Sequence, residues 1–272
     1  MPDCNHDCSS CSLECNERSK ESLLLKPNVN SHIKKVIAVV SGKGGVGKSL
    51  TTSLLAINAA KAGKKVAILD ADVTGPSIPT IFGIKELAKG SETEIYPLYS
   101  KLGIATISLN NLTDDPASPV LWRGPVIAGL IRQFWTDVLW GDIDELYVDM
   151  PPGTGDVPLT VFQSIPVNGI IVVTSPQELV SLIVEKAINM ANMMNIPVLG
   201  LVSNMSYMTC PCCNERIYPF GKSHTDIAKK YGIKLVDEIP IDSKLAENVD
   251  KGSLEEYQNN YLAETSKFIS NL

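Results

Sequence analysis

The chain has 272 residues, 44% of them hydrophobic, and a formal net charge of −6. That length allows one or two domains with a substantial core, while the negative charge argues against a nucleic-acid binder, because clustered lysine and arginine are needed to neutralise phosphates. No apolar run reaches the roughly 20 residues that span a bilayer, and the polar N-terminus is unlike a signal peptide. We therefore expect a cytoplasmic protein with reduced cysteines, no membrane association and no nucleic-acid partner.

The first segment, residues 1–32, is polar and cannot build a core of its own. Four of its cysteines fall close together, so their thiolates could close one tetrahedral metal site. We predict a cysteine-rich, metal-binding tail and favour an iron–sulfur cluster over zinc. The predicted ligands are Cys4, Cys8, Cys11 and Cys15.

From residue 33 onward, apolar runs alternate with helical stretches, which is typical of a parallel sheet. We predict one α/β domain over 33–272, with a mostly parallel sheet covered by helices on both faces. The predicted strands are 36–40, 66–70, 103–108, 145–149, 169–174, 198–203 and 235–239. The predicted helices are 48–62, 125–139, 156–164, 177–195, 223–231 and 254–271, the last packing against the sheet. Residues 85–120 predict only a short strand or hairpin.

The most informative motif lies between the first predicted strand and the first predicted helix. Residues 42–49 read GKGGVGKS, which fits the pattern G-x-x-x-x-G-K-[ST]. Glycines let backbone amides converge on phosphate oxygens, and the helix N-terminus adds partial positive charge. Lys48 would contact the outer phosphates, and the Ser49 hydroxyl would ligate Mg²⁺. The motif therefore predicts a P-loop domain over 33–272 that binds a nucleotide triphosphate.

The same glycines also fit a second pattern. Gly42, Gly44 and Gly47 spell the G-x-G-x-x-G of dinucleotide-binding turns, and Asp70 ends the next apolar strand near the expected distance. A dinucleotide turn needs neither a lysine nor a hydroxyl at its end. Residues 48 and 49 therefore favour a nucleotide triphosphate.

Carboxylates at strand ends complete the predicted nucleotide site. Asp149 ends the strand 145–149, where an acid typically holds Mg²⁺ in P-loop proteins, and Asp72 follows the strand 66–70. Because the carboxyl ends of parallel strands converge on one crevice, we expect both acids beside the loop. Asp72 could orient or deprotonate the attacking water. The loop 150–156 has two prolines near its start, which restrict the backbone, and continues with two glycines, which free it. It could therefore change position with the γ-phosphate.

A second lysine, Lys43, lies five positions before Lys48. A cation there could reach a phosphate across a dimer, as arginine fingers do. It could equally be a solvated side chain that tunes the local potential. The residues alone leave the two interpretations open.

A second cysteine group follows the strand 198–203, in a predicted loop between helical segments. Cys210 and Cys213 form a C-x-x-C pair, with Cys212 inserted. Two thiolates at this spacing suit Zn²⁺ or an iron–sulfur cluster, and both normally require four ligands. Two copies of the pair would complete the set, so we predict a homodimer that shares one metal site.

Together these motifs resemble the deviant Walker A ATPases, the class of MinD, ParA and nitrogenase iron protein, and within it the Mrp/Nbp35/ApbC family. The likeness spans residues 34 to about 250. It implies a homodimer that hydrolyses ATP, binds a [4Fe-4S] cluster and passes it to apo iron–sulfur proteins. The segments that carry it are 42–49 (GKGGVGKS), 70–77 (DADVTGPS), 122–125 (WRGP), 149–156 (DMPPGTGD), 204–206 (NMS) and 210–213 (CPCC).

The resemblance also implies roles for single residues. Lys43 becomes the signature lysine that reaches the partner's nucleotide, and Asn204 would bond the adenine beside Pro240. Cys210 and Cys213 would be the bridging cluster ligands. Two features depart from the family pattern: Cys212 occupies the variable position of C-P-x-C, and the spacing of the tail cysteines is shorter than in the N-terminal motif of eukaryotic Nbp35 members. The implied catalytic residues are Lys43, Lys48 and Asp72. The implied nucleotide-binding residues are Gly42, Lys43, Gly44, Gly45, Val46, Gly47, Lys48, Ser49, Leu50, Asp149, Asn204 and Pro240, with Mg²⁺ on Ser49 and Asp149.

Two other functions share the same loop. In an electron donor like nitrogenase iron protein, ATP would gate reduction of a partner and the cluster would stay bound. A spatial-organisation ATPase like MinD or ParA needs a basic DNA-binding face or a membrane helix. Neither is visible in the sequence, and that function leaves seven cysteines unexplained.

Overall fold

The computed structural model describes residues 23–73, 75–113, 124–176, 179–221 and 224–272. Helices and strands alternate along most of this chain, as the apolar periodicity predicts. The strands are β1 (His32–Ser41), β2 (Val66–Asp70), β3 (Leu98–Tyr99), β4 (Ala105–Ile107), β5 (Asp142–Asp149), β6 (Gly169–Thr174), β7 (Val198–Ser203), β8 (Met208–Thr209), β9 (Arg216–Ile217) and β10 (Val236–Glu238). The helices are α1 (Lys48–Lys61), α2 (Ile78–Phe82), α3 (Gly124–Thr136), α4 (Asp156–Ser164), α5 (Leu179–Met193), α6 (His224–Tyr231), α7 (Ser243–Asp250) and α8 (Ala263–Ser270).

Eight of the described strands form one sheet in the order β10-β7-β6-β1-β5-β2-β4-β3. Every pair in it is parallel except the short β3–β4 pair at one edge. The central strands are almost continuously apolar because helices cover both of their faces. The predicted α/β sheet is therefore confirmed, and residues 85–120 contribute the short hairpin that was expected.

Alternate residues of β1 enter two different cores. Val36, Ala38 and Val40 face one core, and Ile37 and Val39 face the other. The first core packs the sheet against α3, α4 and α5, and its largest side chains include Phe134 and Trp135. The second packs it against α1, α2, α7 and α8. This two-residue alternation is what strands buried on both faces require.

The register brings the carboxyl ends of six strands to the same edge of the sheet. Asp149 at the end of β5 lies beside Val39 of β1 and Asp70 of β2. On the other side of β1, Ser203 at the end of β7 pairs with both Thr174 and Glu238. The loops that follow β1, β2, β5, β7 and β10 consequently share one crevice, as expected for this class of sheet.

The predicted helix over 254–271 is wrong. Its first three residues form a 3-10 turn, Leu254–Glu256, and only α8 is α-helical. Between them the Asn259 side chain accepts from the Tyr261 amide at 3.0 Å, and Leu262 takes a left-handed conformation with φ 62°. The hydroxyls of Tyr257 and Tyr261 both bond to Asp242 (2.5 and 2.9 Å), a partner remote from their own segment. That tertiary anchor overrides the helical spacing of the apolar residues.

Two short helices, α2 and α7, had no counterpart among the predicted elements. Helix α7 has only eight residues, and Leu245 is the one that is fully buried, so its apolar signal is short. It begins instead at a side-chain cap, since Asp242 accepts from the amides of Lys244 and Leu245.

The four cysteines of the predicted tail lie outside the described residues. The described part of that segment is tied to the α/β domain. The Leu25 amide donates to the Ser164 carbonyl at 2.8 Å, and the Leu25 carbonyl accepts from the Trp135 indole at 2.9 Å. Residues 1–32 as a separate metal-binding tail remain a prediction.

Candidate functional site

The glycine loop joins β1 to α1 in the conformation that a phosphate cradle needs. Gly45 and Gly47 have φ values of 78° and 87°, which side chains rarely tolerate. Gly47 is also the N-cap of α1, so no side chain covers the first amides of this helix. These amides and the helix dipole are therefore directed at the crevice where a phosphate would lie.

Lys48 is held between two carboxylates. Its Nζ donates to Oδ1 of Asp149 at 2.7 Å and lies 3.6 Å from Oδ2 of Asp72. The Lys48 side chain is only 6% exposed, and that of Asp149 is fully buried. A buried cation of this kind requires such partners. The structure thus brings the predicted lysine and both predicted acids together.

Two hydroxyls from the first turn of α1 complete the surroundings of Asp149. The Ser49 hydroxyl donates to Oδ2 at 2.5 Å, and the Thr52 hydroxyl lies 2.9 Å from Oδ1. Both hydroxyls face β5 because α1 starts directly above the strand end. Ser49 and Asp149 therefore supply adjacent hard oxygen atoms, which are the ligands that Mg²⁺ prefers.

Asp70 adds a third carboxylate next to this group. Burial, followed by the nearby Asp149 carboxylate, raises the pKa of Asp70 to about 8. Lys48 and a 3.0 Å hydrogen bond from the Ser108 hydroxyl oppose that shift. Its other oxygen accepts from the Asp72 amide at 3.1 Å, which fixes the start of the loop after β2. Asp70 is thus a buried acid that supports the position of Asp72.

Lys43 has a different environment from Lys48. Its side chain is exposed at the tip of the loop, while its carbonyl accepts from the Ser41 hydroxyl at 3.1 Å. The backbone is therefore fixed and the cation projects outward. This placement is compatible with both interpretations of Lys43, so its action on a second nucleotide remains a prediction.

The loop after β5 contacts the glycine loop. The Gly153 amide donates to the Ser41 carbonyl at 2.9 Å. A Cβ placed on Gly44 would lie 3.9 Å from the Pro152 ring, which is an ordinary contact distance. The loop 150–156, which the sequence predicts could change position with the γ-phosphate, therefore contacts the phosphate cradle directly.

Asn204 lies against the cradle from the other side. Its Nδ2 donates to the Val46 carbonyl at 2.9 Å, and the residue is 5% exposed. A Cβ on Gly47 would come within 2.0 Å of the same nitrogen, so a side chain there would have to displace the buried Asn204 amide. Pro240 follows β10 at the same sheet edge, and the Ile239 carbonyl accepts from the Ser206 amide at 2.9 Å. Contacts of Asn204 and Pro240 with an adenine ring stay predictions.

The C-x-x-C pair lies in the turn of a small antiparallel hairpin, rather than in a loop between helices. Strands β8 and β9 pair Met208 with Ile217, and the turn is closed by the Cys210 amide, which donates to the Glu215 carbonyl at 2.9 Å. All three thiols are free, with Cys212 and Cys213 exposed and Cys210 half-buried. Hydrogen bonds from the backbone amides of Cys212 and Cys213 lower the pKa of Cys210. At Cys210 the turn therefore presents a thiol that readily becomes a metal-binding thiolate.

One copy of the hairpin offers fewer than four thiol ligands. Within the parts of the chain that the structure describes, no group of three or more His, Cys, Asp or Glu side chains is arranged to hold a metal ion. Soft sulfur ligands favour zinc or an iron–sulfur cluster, and both require a larger set.

The family comparison supplies the identity that the geometry leaves open. Residues 32–272 match the model of the NUBPL iron-transfer P-loop NTPases, a ParA-type family. The chain belongs to this family. The resemblance inferred from the loop and the cysteine pair is thereby confirmed, and so is the P-loop fold.

Several relatives of this NUBPL-type chain are described as iron–sulfur cluster carrier proteins. The one from Clostridium perfringens is 42% identical over 266 residues, which cover 92% of this chain and 94% of the relative. The one from Methanocaldococcus jannaschii is 43% identical over 260 residues, covering 93% and 90%. The matches extend over nearly the full length of both proteins.

Solved structures place the NUBPL-type chain in the same fold group. A nucleotide-binding protein from Archaeoglobus fulgidus, in complex with ADP, superposes with a TM-score of 0.75 at 48% identity, covering 84% of this chain and 90% of that one. MinD in the MinC:MinD complex of Aquifex aeolicus gives a TM-score of 0.64 at 18% identity, covering 88% and 96%, and shows the fold alone. Among the described residues, no helix has the length and apolar character of a membrane span.

Sequence reasoning missed several residues that shape this NTPase site. Thr52 could have been found, because it lies one turn after Lys48 on the helix face that carries the ligands. Ser108 and Glu238 gave no local signal, since their roles depend on which strands become neighbours. The segment 122–125 lies partly outside the described residues, so its predicted contribution is not placed.

Proposed function

We propose that this NUBPL-type NTPase is an ATP-hydrolysing carrier that binds a [4Fe-4S] cluster as a homodimer and transfers it to apo iron–sulfur proteins. The observation that carries the proposal is the pairing of two sites at one sheet edge. One is a phosphate cradle with Lys48, Ser49 and Asp149 in contact. The other is an exposed turn with free thiols. Relatives described as cluster carriers support the same function.

In the hydrolytic step, water attacks the γ-phosphorus and the bond to the β–γ bridging oxygen breaks. Asp72 accepts the proton of the attacking water, and Lys48 exchanges its carboxylate partner for phosphate oxygens. Lys43 supplies positive charge to the nucleotide of the partner copy. The hard oxygens of Ser49 and Asp149 fit Mg²⁺, which would neutralise charge on the outer phosphates.

The cluster is cargo rather than a permanent part of the chain. Two thiolates from each copy, at positions 210 and 213, form its four bonds to the protein. Thiolates of the acceptor then replace them one for one, so iron and sulfide leave together and no electron is gained or lost. Exposure of the turn gives an acceptor access to these bonds.

The experiment is anaerobic reconstitution of the full chain with iron and sulfide, followed by transfer of labelled iron to an apo-ferredoxin. We compare wild type with the double variant Cys210→Ala/Cys213→Ala and with Cys212→Ala as the matched control. The double variant is expected to bind about two fewer irons per chain, which is half of one four-iron cluster, and to lose transfer from this site. The Cys212→Ala control is expected to keep the wild-type iron content and the wild-type transfer.

Two results would overturn the proposal. A double variant with the full iron content of wild type refutes the assigned ligands. Labelled iron that stays on the chain while the partner becomes reduced identifies an electron donor instead of a carrier.

A further inference from the structure

The phosphate cradle and the cysteine hairpin are joined by a very short piece of chain. Asn204 contacts the cradle at Val46 and Gly47, and Cys210 is only six positions later. Between them, Met205 takes a left-handed conformation with φ 55°. That conformation is uncommon for a side chain of this kind, so neighbouring contacts must hold the turn in place.

A small group of side chains fixes the hairpin to the end of β10. Glu238 accepts from the Ser206 hydroxyl with Oε1 (2.7 Å) and pairs with the Arg216 guanidinium through Oε2 (3.2 Å). Arg216 also lies over the Tyr207 ring, with Cζ 4.3 Å from the ring centre. We call Tyr207, Arg216 and Glu238 the clasp. It connects β9, which follows the cysteine turn, to the strand end beside Pro240.

Backbone bonds make the same connection at the base of the hairpin. The Ser206 amide donates to the Ile239 carbonyl at 2.9 Å, and the Ile241 amide donates to the Tyr207 carbonyl at 2.8 Å. The hairpin itself has strands of two residues each, too short to be stable alone. The orientation of its turn consequently depends on the clasp and on the segment from Asn204.

We propose that the clasp is a positioning device through which nucleotide bound at the phosphate cradle changes the exposure of Cys210 and Cys213, and with it the rate of cluster release. The inference rests on the proposed carrier function but concerns its regulation. A shift of the cradle at Gly47 moves Asn204, because their contact leaves no free space. With the hairpin base held at β10, that movement is passed along residues 205–209 to the thiols. Without the clasp, the turn end of the hairpin can tilt about the two backbone bonds at its base, and the movement is lost before it reaches the thiols.

The test compares Arg216→Ala with a matched control, Lys230→Ala. Lys230 also pairs with a glutamate (Glu185, 2.9 Å), lies 5.5 Å from the centre of a tyrosine ring and has similar exposure, 58% against 56% for Arg216. Arg216→Lys keeps the positive charge but removes the planar guanidinium group, and Glu238→Gln removes the opposite charge. The first readout is the alkylation rate of Cys210 and Cys213 in the cluster-free chain, with and without MgATP. The second is the rate of cluster transfer to a chelator under the same conditions.

For wild type and Lys230→Ala, we expect MgATP to change the alkylation rates by about fivefold or more, the lower end of ordinary coupling between sites. In Arg216→Ala and Glu238→Gln, the ratio of rates should fall close to one while the affinity for ATP is unchanged. Arg216→Lys should recover part of the wild-type ratio. A purely structural anchor would change the rates with and without nucleotide equally.

The proposal is overturned if Arg216→Ala keeps the wild-type ratio, or if MgATP leaves wild-type alkylation unchanged. Alkylation requires no cluster, so it separates this inference from the carrier function. A chain that shows the nucleotide effect on its thiols but binds no cluster would contradict the carrier function and leave the clasp supported.

Discussion

Lys48 and Cys210 are both predicted ligands at one sheet edge, yet their surroundings differ completely. Lys48 is 6% exposed, follows a ten-residue strand and is held by two carboxylates. Cys210 lies in the turn of a hairpin with two-residue strands, and its neighbouring thiols are exposed. The phosphate cradle is thus built into the core of the sheet, while the cysteine turn is attached to its edge.

This difference follows from what each site has to do. Charges around a phosphate must be placed before the ligand arrives, because electrostatic stabilisation depends on fixed donors in a region of low dielectric constant. A site that receives and releases a metal cluster needs open access for a second copy and for an acceptor. We therefore expect substitutions at the buried residues of the cradle to affect stability and hydrolysis together, and those at the cysteine turn to affect cluster binding and transfer without a loss of stability.

The largest expected effect tests whether the cradle is part of the core. Lys48→Ala removes the cation from a buried carboxylate pair, and breaking such a pair costs about 3–5 kcal/mol. ATP binding and hydrolysis should be lost as well. Urea unfolding and an ATPase assay measure both. The matched control is Lys251→Ala, which removes an equally short but exposed pair with Glu247 (2.6 Å) and should change neither. Unchanged stability of Lys48→Ala would place the cradle outside the core.

The next effect concerns the pH dependence of the cradle. Because the folded chain raises the pKa of Asp70 to about 8, it holds one more proton than the unfolded chain between that value and the ordinary pKa near 4. The contribution of Asp70 to stability should therefore fall as the pH rises through this window, by about 1.4 kcal/mol per pH unit in its middle. Asp70→Asn removes this loss. Its free energy of unfolding, measured with urea at each pH, should therefore increase relative to that of wild type from pH 5 to pH 8.

Asp144, on the neighbouring strand β5, provides the opposite case. The Lys34 Nζ donates to Oδ1 of Asp144 at 2.7 Å, and this hydrogen bond lowers the pKa of the Asp144 carboxyl. A carboxyl whose pKa is lowered in the folded chain gives its full contribution to stability above its ordinary pKa. Asp144→Asn should therefore be less stable than wild type by a constant amount from pH 5 to pH 8. Equal pH profiles for the two variants would contradict the burial argument for Asp70.

A smaller effect is expected at the exposed lysine of the cradle. Lys43→Ala should reduce the hydrolysis rate by about 1,000-fold or more, at the lower end of what a cation supplied in trans contributes. Its unfolding free energy should equal that of wild type, since the side chain is exposed. Steady-state hydrolysis at saturating ATP, with a parallel unfolding curve, is the measurement. Turnover at the wild-type rate would leave Lys43 as a solvated side chain.

The smallest effect separates two glycines of the same loop. Both Gly45 and Gly47 have positive φ, but a Cβ on Gly45 meets nothing within 4 Å, whereas one on Gly47 meets the Asn204 amide at 2.0 Å. Gly47→Ala should consequently be about 1–3 kcal/mol less stable than Gly45→Ala, the usual cost of overpacking. Thermal unfolding of the pair measures the difference, and equal stabilities would show that Asn204 moves away freely.

Much of this architecture was predictable because it depends on local patterns. Strand β2 and helix α4 were placed at their observed ends, since a continuous apolar run and a helical repeat identify them directly. The predicted helix over 254–271 failed, because Asp242 draws Tyr257 and Tyr261 out of helical geometry. The cysteine hairpin was also misplaced, since strands of two residues carry no period.

The sequence by itself determined the class of the sheet, the phosphate loop and the cysteine pair, because spacing and residue type are properties of short segments. Only the tertiary structure decided that Lys48 pairs with Asp149, 101 positions away, and that Glu238 fixes the hairpin through Arg216. It also decided that the Asn204 amide fills the space that a side chain at Gly47 would need. These contacts depend on strand order and register, which bring distant residues together only when the whole sheet is assembled.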